Sequence, residues 1–150
     1  MRISIIVISL FSLLFTACVQ RVNTTKELNA LFELDKKFSE ESKQAGLANA
    51  YLNYADSNAV WLIPNSLPVK GIIALKDRLS NIDSNLGIYT WRPLSAEVSL
   101  SGDIGYTYGN FQYLSSTNDS IFSIGTYVTI WKRKKKQDWK WVLTSANNGL

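Results

Sequence analysis

The feature that most constrains this 150-residue chain is a change of hydrophobic period part-way along it. The first half carries apolar residues largely at helical spacing, whereas from Tyr89 onward they alternate as strands do. Leu28, Leu31, Leu34, Phe38 and Ala45 share one face of a helix that opens at Thr24, with Glu27 at capping-box spacing, and stops at Gly46. Asp35 falls near the centre of that apolar face. Leu47, Ala50, Tyr51 and Tyr54 predict a second, shorter helix, and Ile72, Leu75, Leu79 and Ile82 a third. Residues 59–63 form a strand-like run closed by Pro64. Later, Leu94, Ala96, Val98 and Leu100 alternate with Ser95, Glu97 and Ser99. A Gly102-Asp103 turn leads to strands over 104–114, 121–131 and 139–146. Helices followed by a meander of long strands imply an α+β domain: three N-terminal helices packed on a strongly curved antiparallel sheet.

The first residues have a different character. Arg2 precedes an apolar run over 3–15, interrupted only by Ser4, Ser9 and Ser12, and Thr16-Ala17 stand before Cys18. The run is too short to span a bilayer stably, for which roughly 20 apolar residues are needed. A lone cysteine directly after a small-residue cleavage point resembles a bacterial lipobox, with Phe15 where Leu is commoner. The reading is a lipoprotein signal peptide over 1–17, a tether over 18–24 lipidated at Cys18, and one domain over 25–150. The expected location is the bacterial cell envelope, with Cys18 holding the protein to the membrane on the periplasmic or outer-membrane side.

Composition narrows the chemistry. Cys18 is the only cysteine and there is no histidine. With the thiol committed to lipid, no disulfide, thiolate nucleophile or cysteine metal site remains, and the commonest general base is missing. No cofactor and no metal are expected. Lys132-Arg133-Lys134-Lys135-Lys136 is a run of five basic residues at a hairpin tip. Its bland reading is a solvated turn that discourages aggregation. Its sharper reading is contact with anionic headgroups. Nucleic acid is not an expected partner, because the basic charge is confined to one turn of an exported chain.

The order of local motifs resembles the SnoaL-like group of the nuclear transport factor 2-like superfamily, related to polyketide cyclases and ketosteroid isomerases. The matching segments are Leu34-Asp35-Lys36-Lys37-Phe38, Tyr54-Ala55-Asp56-Ser57-Asn58-Ala59-Val60, Val69-Lys70-Gly71, Ser101-Gly102-Asp103-Ile104-Gly105-Tyr106-Thr107, Gly125-Thr126-Tyr127-Val128-Thr129-Ile130-Trp131 and Trp139-Lys140-Trp141-Val142. The resemblance implies a cone: a curved sheet wrapped around helices and enclosing a mostly apolar pocket. It also implies a homodimer as one way the scaffold is used. Isomerase-like relatives carry a carboxylate base at the end of the strand matching 59–63, where this chain has Trp61, Leu62 and Ile63. They often carry His or Asp on the last strand, at positions matching Leu143 and Thr144. Both departures remove titratable groups from where acid–base chemistry would be expected.

Asp35 is the first candidate residue. It is either a pocket-facing acid or base with a raised pKa, or a structural carboxylate bonded to a strand. Asp56 is read as a turn residue capping local backbone. Trp61, Tyr108 and Tyr127, with Asn110 beside Tyr108, are the expected pocket-lining residues, although alternation alone does not say which strand face points inward. The leading expectation is a lipid-anchored domain that binds a small apolar ligand or serves as a dimeric scaffold without catalysis. The alternatives are an isomerase, cyclase or dehydratase using Asp35 with Tyr108 or Tyr127 as oxyanion donor, or a module that binds protein partners through its exposed sheet face.

Overall fold

The computed structural model describes residues 23–82, 87–115, 120–134 and 137–149. The expected leader, Cys18 and part of the basic run lie outside the described residues. The elements are α1 (Thr24–Ala45), α2 (Leu47–Tyr54), β1 (Ala55–Leu62), β2 (Val69–Lys70), α3 (Ile72–Ser80), β3 (Gly87–Val98), β4 (Ile104–Ser115), β5 (Ile121–Lys132) and β6 (Lys140–Asn148). Three helices therefore pack on one six-stranded sheet ordered β2-β1-β6-β5-β4-β3. The sheet is mixed rather than wholly antiparallel, because β1 runs parallel to β6. Between them the chain makes the whole meander, so the closing strand reaches β1 in the same direction. No local pattern in the sequence encodes that long-range pairing.

Helix α1 opens at Thr24 as its spacing predicts, but Thr24 is not its cap. Asn23 is its cap, with Oδ1 accepting from the Lys26 amide at 3.1 Å. Glu27 is thereby free of a capping duty, and its carboxylate meets Arg133 at 2.7 Å. Gly46 ends α1 with φ 89° and also starts α2, a positive φ that glycine adopts without steric cost. At the next junction the Asp56 carboxylate accepts from the Asn58 amide at 2.9 Å, so Asp56 caps local backbone.

The inner face of the sheet is aromatic. Trp91, Phe111, Tyr127, Trp131 and Trp141 are buried against Leu31, Phe38 and Tyr51 from the helices. Phe38 sits at the middle, with ring centroids 4.5 Å from Trp91 and 5.8 Å from Trp131, both edge-on. The indole N–H groups find acceptors, Trp131 on Thr107 Oγ1 at 2.9 Å and Trp141 on the Tyr51 carbonyl at 3.0 Å. Side chains this large fit because glycines on the same face make room. A Cβ at Gly105 would lie 2.7 Å from Leu31 Cδ2, and one at Gly125 would lie 2.6 Å from the Phe111 ring.

The strand β3 also departs from simple alternation. Its register against β4 shifts between Pro93 and Ser95, a bulge that turns Leu94 outward while Ala96 stays buried. Opposite the bulge, a Cβ at Gly109 would stand 2.0 Å from the Arg92 carbonyl oxygen. Because that neighbour is backbone, β3 and β4 would have to separate. Gly109→Ala should destabilise the domain by about 1–3 kcal/mol, the usual cost of overpacking. Urea denaturation followed by tryptophan fluorescence checks this, and a midpoint unchanged from the parent would contradict it.

Candidate functional site

Asp35, Ser39 and Ser42 fall at i, i+4 and i+7 on α1 and form a buried polar line within an otherwise apolar face. That line faces β3, the edge strand of the sheet. Ser39 Oγ accepts from the Trp91 backbone N–H at 2.8 Å, and Ser42 Oγ donates to the Tyr89 carbonyl at 2.7 Å. The helix thus satisfies backbone groups that an edge strand would otherwise leave unpaired. Asp35 extends the line to side chains. Its Oδ1 accepts from Trp91 Nε1–H at 2.9 Å, and its Oδ2 accepts from the Tyr127 hydroxyl at 2.6 Å. One carboxylate therefore joins α1, β3 and β5.

The site is sealed. Asp35 has 0% of its surface exposed and Tyr127 only 7%. Burial pushes the Asp35 carboxyl above its ordinary value, and it outweighs the opposing hydrogen bonds from Tyr127, Trp91 and Thr107. Tyr127 is pushed up as well, first by burial and then by the nearby Asp35 charge, which keeps its hydroxyl protonated as a donor. A general acid or base must reach the atom it protonates. This carboxyl has both oxygens engaged and no exposed surface, so it has no such reach in this conformation.

The residues predicted as pocket-lining divide between two faces. Tyr127 joins Asp35 inside. Trp61 on β1 is half-buried and packs against Tyr51 with centroids 5.0 Å apart. Tyr108 instead lies on the outer face with 45% of its surface exposed, and Asn110 shares that strand face but borders the larger cavity described below. The register explains the division: Tyr127 pairs with Gly109, so its neighbours across the ladder at 108 and 110 point the other way. Sequence reasoning did not single out Trp91, Ser39 or Ser42. The spacing of Asp35, Ser39 and Ser42 was visible on the helical wheel, but their strand partner was not.

Among the cavities of the described residues, one borders this network and another lies on the outer sheet face. The first, of about 690 Å³ and here called the cone-mouth cavity, lies between α1 and strands β3 to β5 and is lined by Ser39, Glu40, Lys43, Trp91, Asn110 and Phe111 among others. The other, about 590 Å³, is a shallow groove on the outer sheet face between Glu97, Ile104, Tyr106, Val128 and Ile130. Among the described residues, no group of three or more His, Cys, Asp or Glu side chains is placed to hold a metal.

With this geometry in place, the architecture is recognisable: the domain has the nuclear transport factor 2-like fold, an α+β cone shared with ketosteroid isomerase-like proteins. An NTF2-like protein with a cystatin-like fold from Novosphingobium aromaticivorans superposes with a TM-score of 0.64 at 12% identity, covering 79% of each chain. A ketosteroid isomerase-like protein from Erwinia carotovora atroseptica also gives 0.64, at 10% identity, over 79% of this chain and 94% of that one. An NTF2-like superfamily protein from Salmonella enterica gives 0.63 at 9% identity, over 84% and 93%. No family model and no curated protein sequence matches the chain.

The Asp35 network makes a stability prediction with a definite sign. Asp35→Ala leaves the Trp91 N–H and the Tyr127 O–H buried without their acceptor and should cost about 2–5 kcal/mol. Asp35→Asn keeps an acceptor for Trp91, and its amide can donate to the Tyr127 oxygen, so it should cost less. The raised folded-state pKa means the native state binds the Asp35 proton more tightly than the unfolded chain does. The resulting stabilisation is full below the unfolded carboxylate pKa and is lost as pH rises through the folded value. Wild-type stability should therefore fall relative to Asp35→Asn as pH rises from about 4 toward neutrality. Paired denaturation curves across that range measure it, and a gap that is constant or moves the other way would refute the assignment.

Proposed function

We propose that this protein is a lipid-anchored envelope domain that does no acid–base catalysis and acts as a self-associating scaffold through the outer face of its sheet. The observation that carries the reading is the contrast between the two faces. The interior carboxylate is sealed with a hydrogen bond on each oxygen, while the outer face leaves large apolar side chains in the open. Strand register brings Tyr106, Ile130 and Leu143 into one row, ended by Glu97, and Tyr108 and Val128 into the next, between Ser95 and Ser145. Tyr106, Tyr108 and Val128 are each more than a third exposed although they sit on central strands. Polar positions rim the patch at Arg92, Glu97, Asn110, Thr126 and Lys132. An aromatic and aliphatic centre inside a polar rim is the composition of a protein–protein interface.

A second copy is the occupant that this reading favours. The rim carries both Arg92 and Glu97 on one strand, so a two-fold arrangement can offer each copy charges of both signs. Tethering through Cys18 would also hold copies on the same surface, which raises their effective concentration and favours a contact of modest affinity.

Light scattering on the Cys18→Ser mature chain tests the scaffold. Residues 18–150 should be dimeric at micromolar concentration, and Tyr108→Lys with Val128→Glu should make them monomeric with an unchanged circular-dichroism spectrum and a melting temperature that no longer depends on concentration. A monomeric parent at high micromolar concentration would count against self-association. The cone-mouth cavity supports a second reading, a small ligand resting on Trp91 and Phe111. Native mass spectrometry of freshly purified protein would distinguish it by a co-purifying organic mass.

A further inference from the structure

The basic end of the domain and the start of its first helix are held together by a specific set of contacts. Arg133, at the end of β5, forms an ion pair with Glu27 in the first turn of α1 at 2.7 Å. Its Nε–H also donates to the Gly102 carbonyl at 2.6 Å, and its backbone N–H to the Asp103 carbonyl at 2.9 Å. The guanidinium lies over the Trp139 ring, 4.6 Å from its centroid. One side chain therefore clamps three parts of the molecule: the N-terminus of α1, the β3–β4 turn and the β5–β6 connection. Both members of the ion pair are largely covered, with side-chain exposures of 23% and 20%.

The consequence is geometric. The chain enters the domain at Asn23, beside the connection whose sequence runs Lys132-Arg133-Lys134-Lys135-Lys136. With Arg133 occupied, Lys26, Lys132 and Lys134 remain exposed at this end. Lys140 is partly covered and donates to the Asn53 carbonyl at 2.6 Å. Of the described acids here only Glu27 is matched by a cation, while Asp56 and Asp103 accept from uncharged donors and keep their charge. Glu27 is paired with Arg133, the Asp56 carboxylate accepts from the Asn58 amide, and Asp103 accepts from the Ser99 and Ser101 hydroxyls. Asp138 is exposed beside Gln137 and, with Asp56 and Asp103, lines the same hollow as Lys132, Lys134 and Lys140, so the basic excess comes from the run 132–136 and Lys26.

We propose that this end of the domain, presenting Lys26, Lys132 and Lys134, is a docking surface for anionic phospholipid headgroups, and that it sets the orientation of the domain on its membrane. The proposal rests on the lipid-anchor reading, because a lipid at Cys18 is what brings this end to a bilayer. The covalent distance agrees with it: five residues separate Cys18 from Thr24, so the segment reaches at most about 20 Å from the lipid attachment point. The rigid clamp then fixes which surface lies nearest the bilayer. In that pose the strands stand upright and the outer sheet face remains open to the side, where a neighbouring copy could meet it.

The test uses residues 18–150 carrying Cys18→Ser, which keeps every described element and the whole described core without the lipid. Sedimentation with vesicles of phosphatidylglycerol and phosphatidylcholine should show more binding than with phosphatidylcholine alone, and the excess should fade as salt is raised. Each lysine at an anionic surface changes the partition coefficient about fivefold, so Lys132→Ala with Lys134→Ala should reduce it roughly 20- to 30-fold. Both side chains are exposed, and the melting temperature should not move. Equal binding to the two vesicle types, or a double variant that binds like its parent, would overturn the proposal. Intact mass of the full-length protein recovered from a bacterial membrane reports the anchor separately. An unacylated mass would remove the anchor, whereas an acylated protein without headgroup preference would remove only the docking surface.

Discussion

The structure depends most on how α1 is fastened to an exposed sheet edge. An edge strand presents unpaired backbone groups, and a helix cannot join a β-ladder to satisfy them. Here a line of three short polar side chains does so, with Ser39 and Ser42 taking the backbone of β3 and Asp35 taking the Trp91 indole. The second Asp35 oxygen holds Tyr127 on β5, so the same carboxylate also fixes how the helix sits across the sheet. Such a buried polar network specifies one arrangement because any slip of the helix by a residue would leave several of these groups unsatisfied. The aromatic residues then fill the space that this arrangement leaves, with Phe38 between Trp91 and Trp131.

That use of Asp35 bears directly on function. The fold is one that hosts varied activities, and fold alone does not choose among them. A carboxylate must reach the atom it protonates, and Asp35 has no exposed surface, with each oxygen accepting a hydrogen bond from a neighbouring strand. The polar chemistry inside the cone is consumed in holding the cone together. The mouth cavity, the apolar outer sheet face and the basic end are the surfaces on which the proposals rest.

Much of the fold was legible in the sequence because it rests on local periodicity. The 3.6-residue spacing of Leu31, Leu34 and Phe38 and the glycine stop at Gly46 mark α1 within a residue of its observed ends. The alternation after Tyr89 marks the long strands. Asp35 stood out because a carboxylate amid apolar helix positions needs a partner. Its partners were not legible, since Trp91 and Tyr127 lie 56 and 92 residues away. The pairing of Asp35 with Tyr127 and the exposure of Tyr108 depend on which strand parity faces inward. Local alternation is symmetric on that point.

The sequence by itself determined the order and type of the helices and the long strands, though not the short β2, together with the absence of histidine, the single cysteine at the end of a leader-like segment, and the clustering of basic charge between the last two strands. These properties follow from residues close together in the chain. The tertiary structure decided that β1 joins the sheet parallel to β6, that Asp35 is sealed, that the aromatic residues divide between core and surface, and that Arg133 clamps the basic end against the start of α1. Each of these is set by strand register and helix docking. Those depend on packing between segments that are distant in sequence, so no local pattern could have specified them.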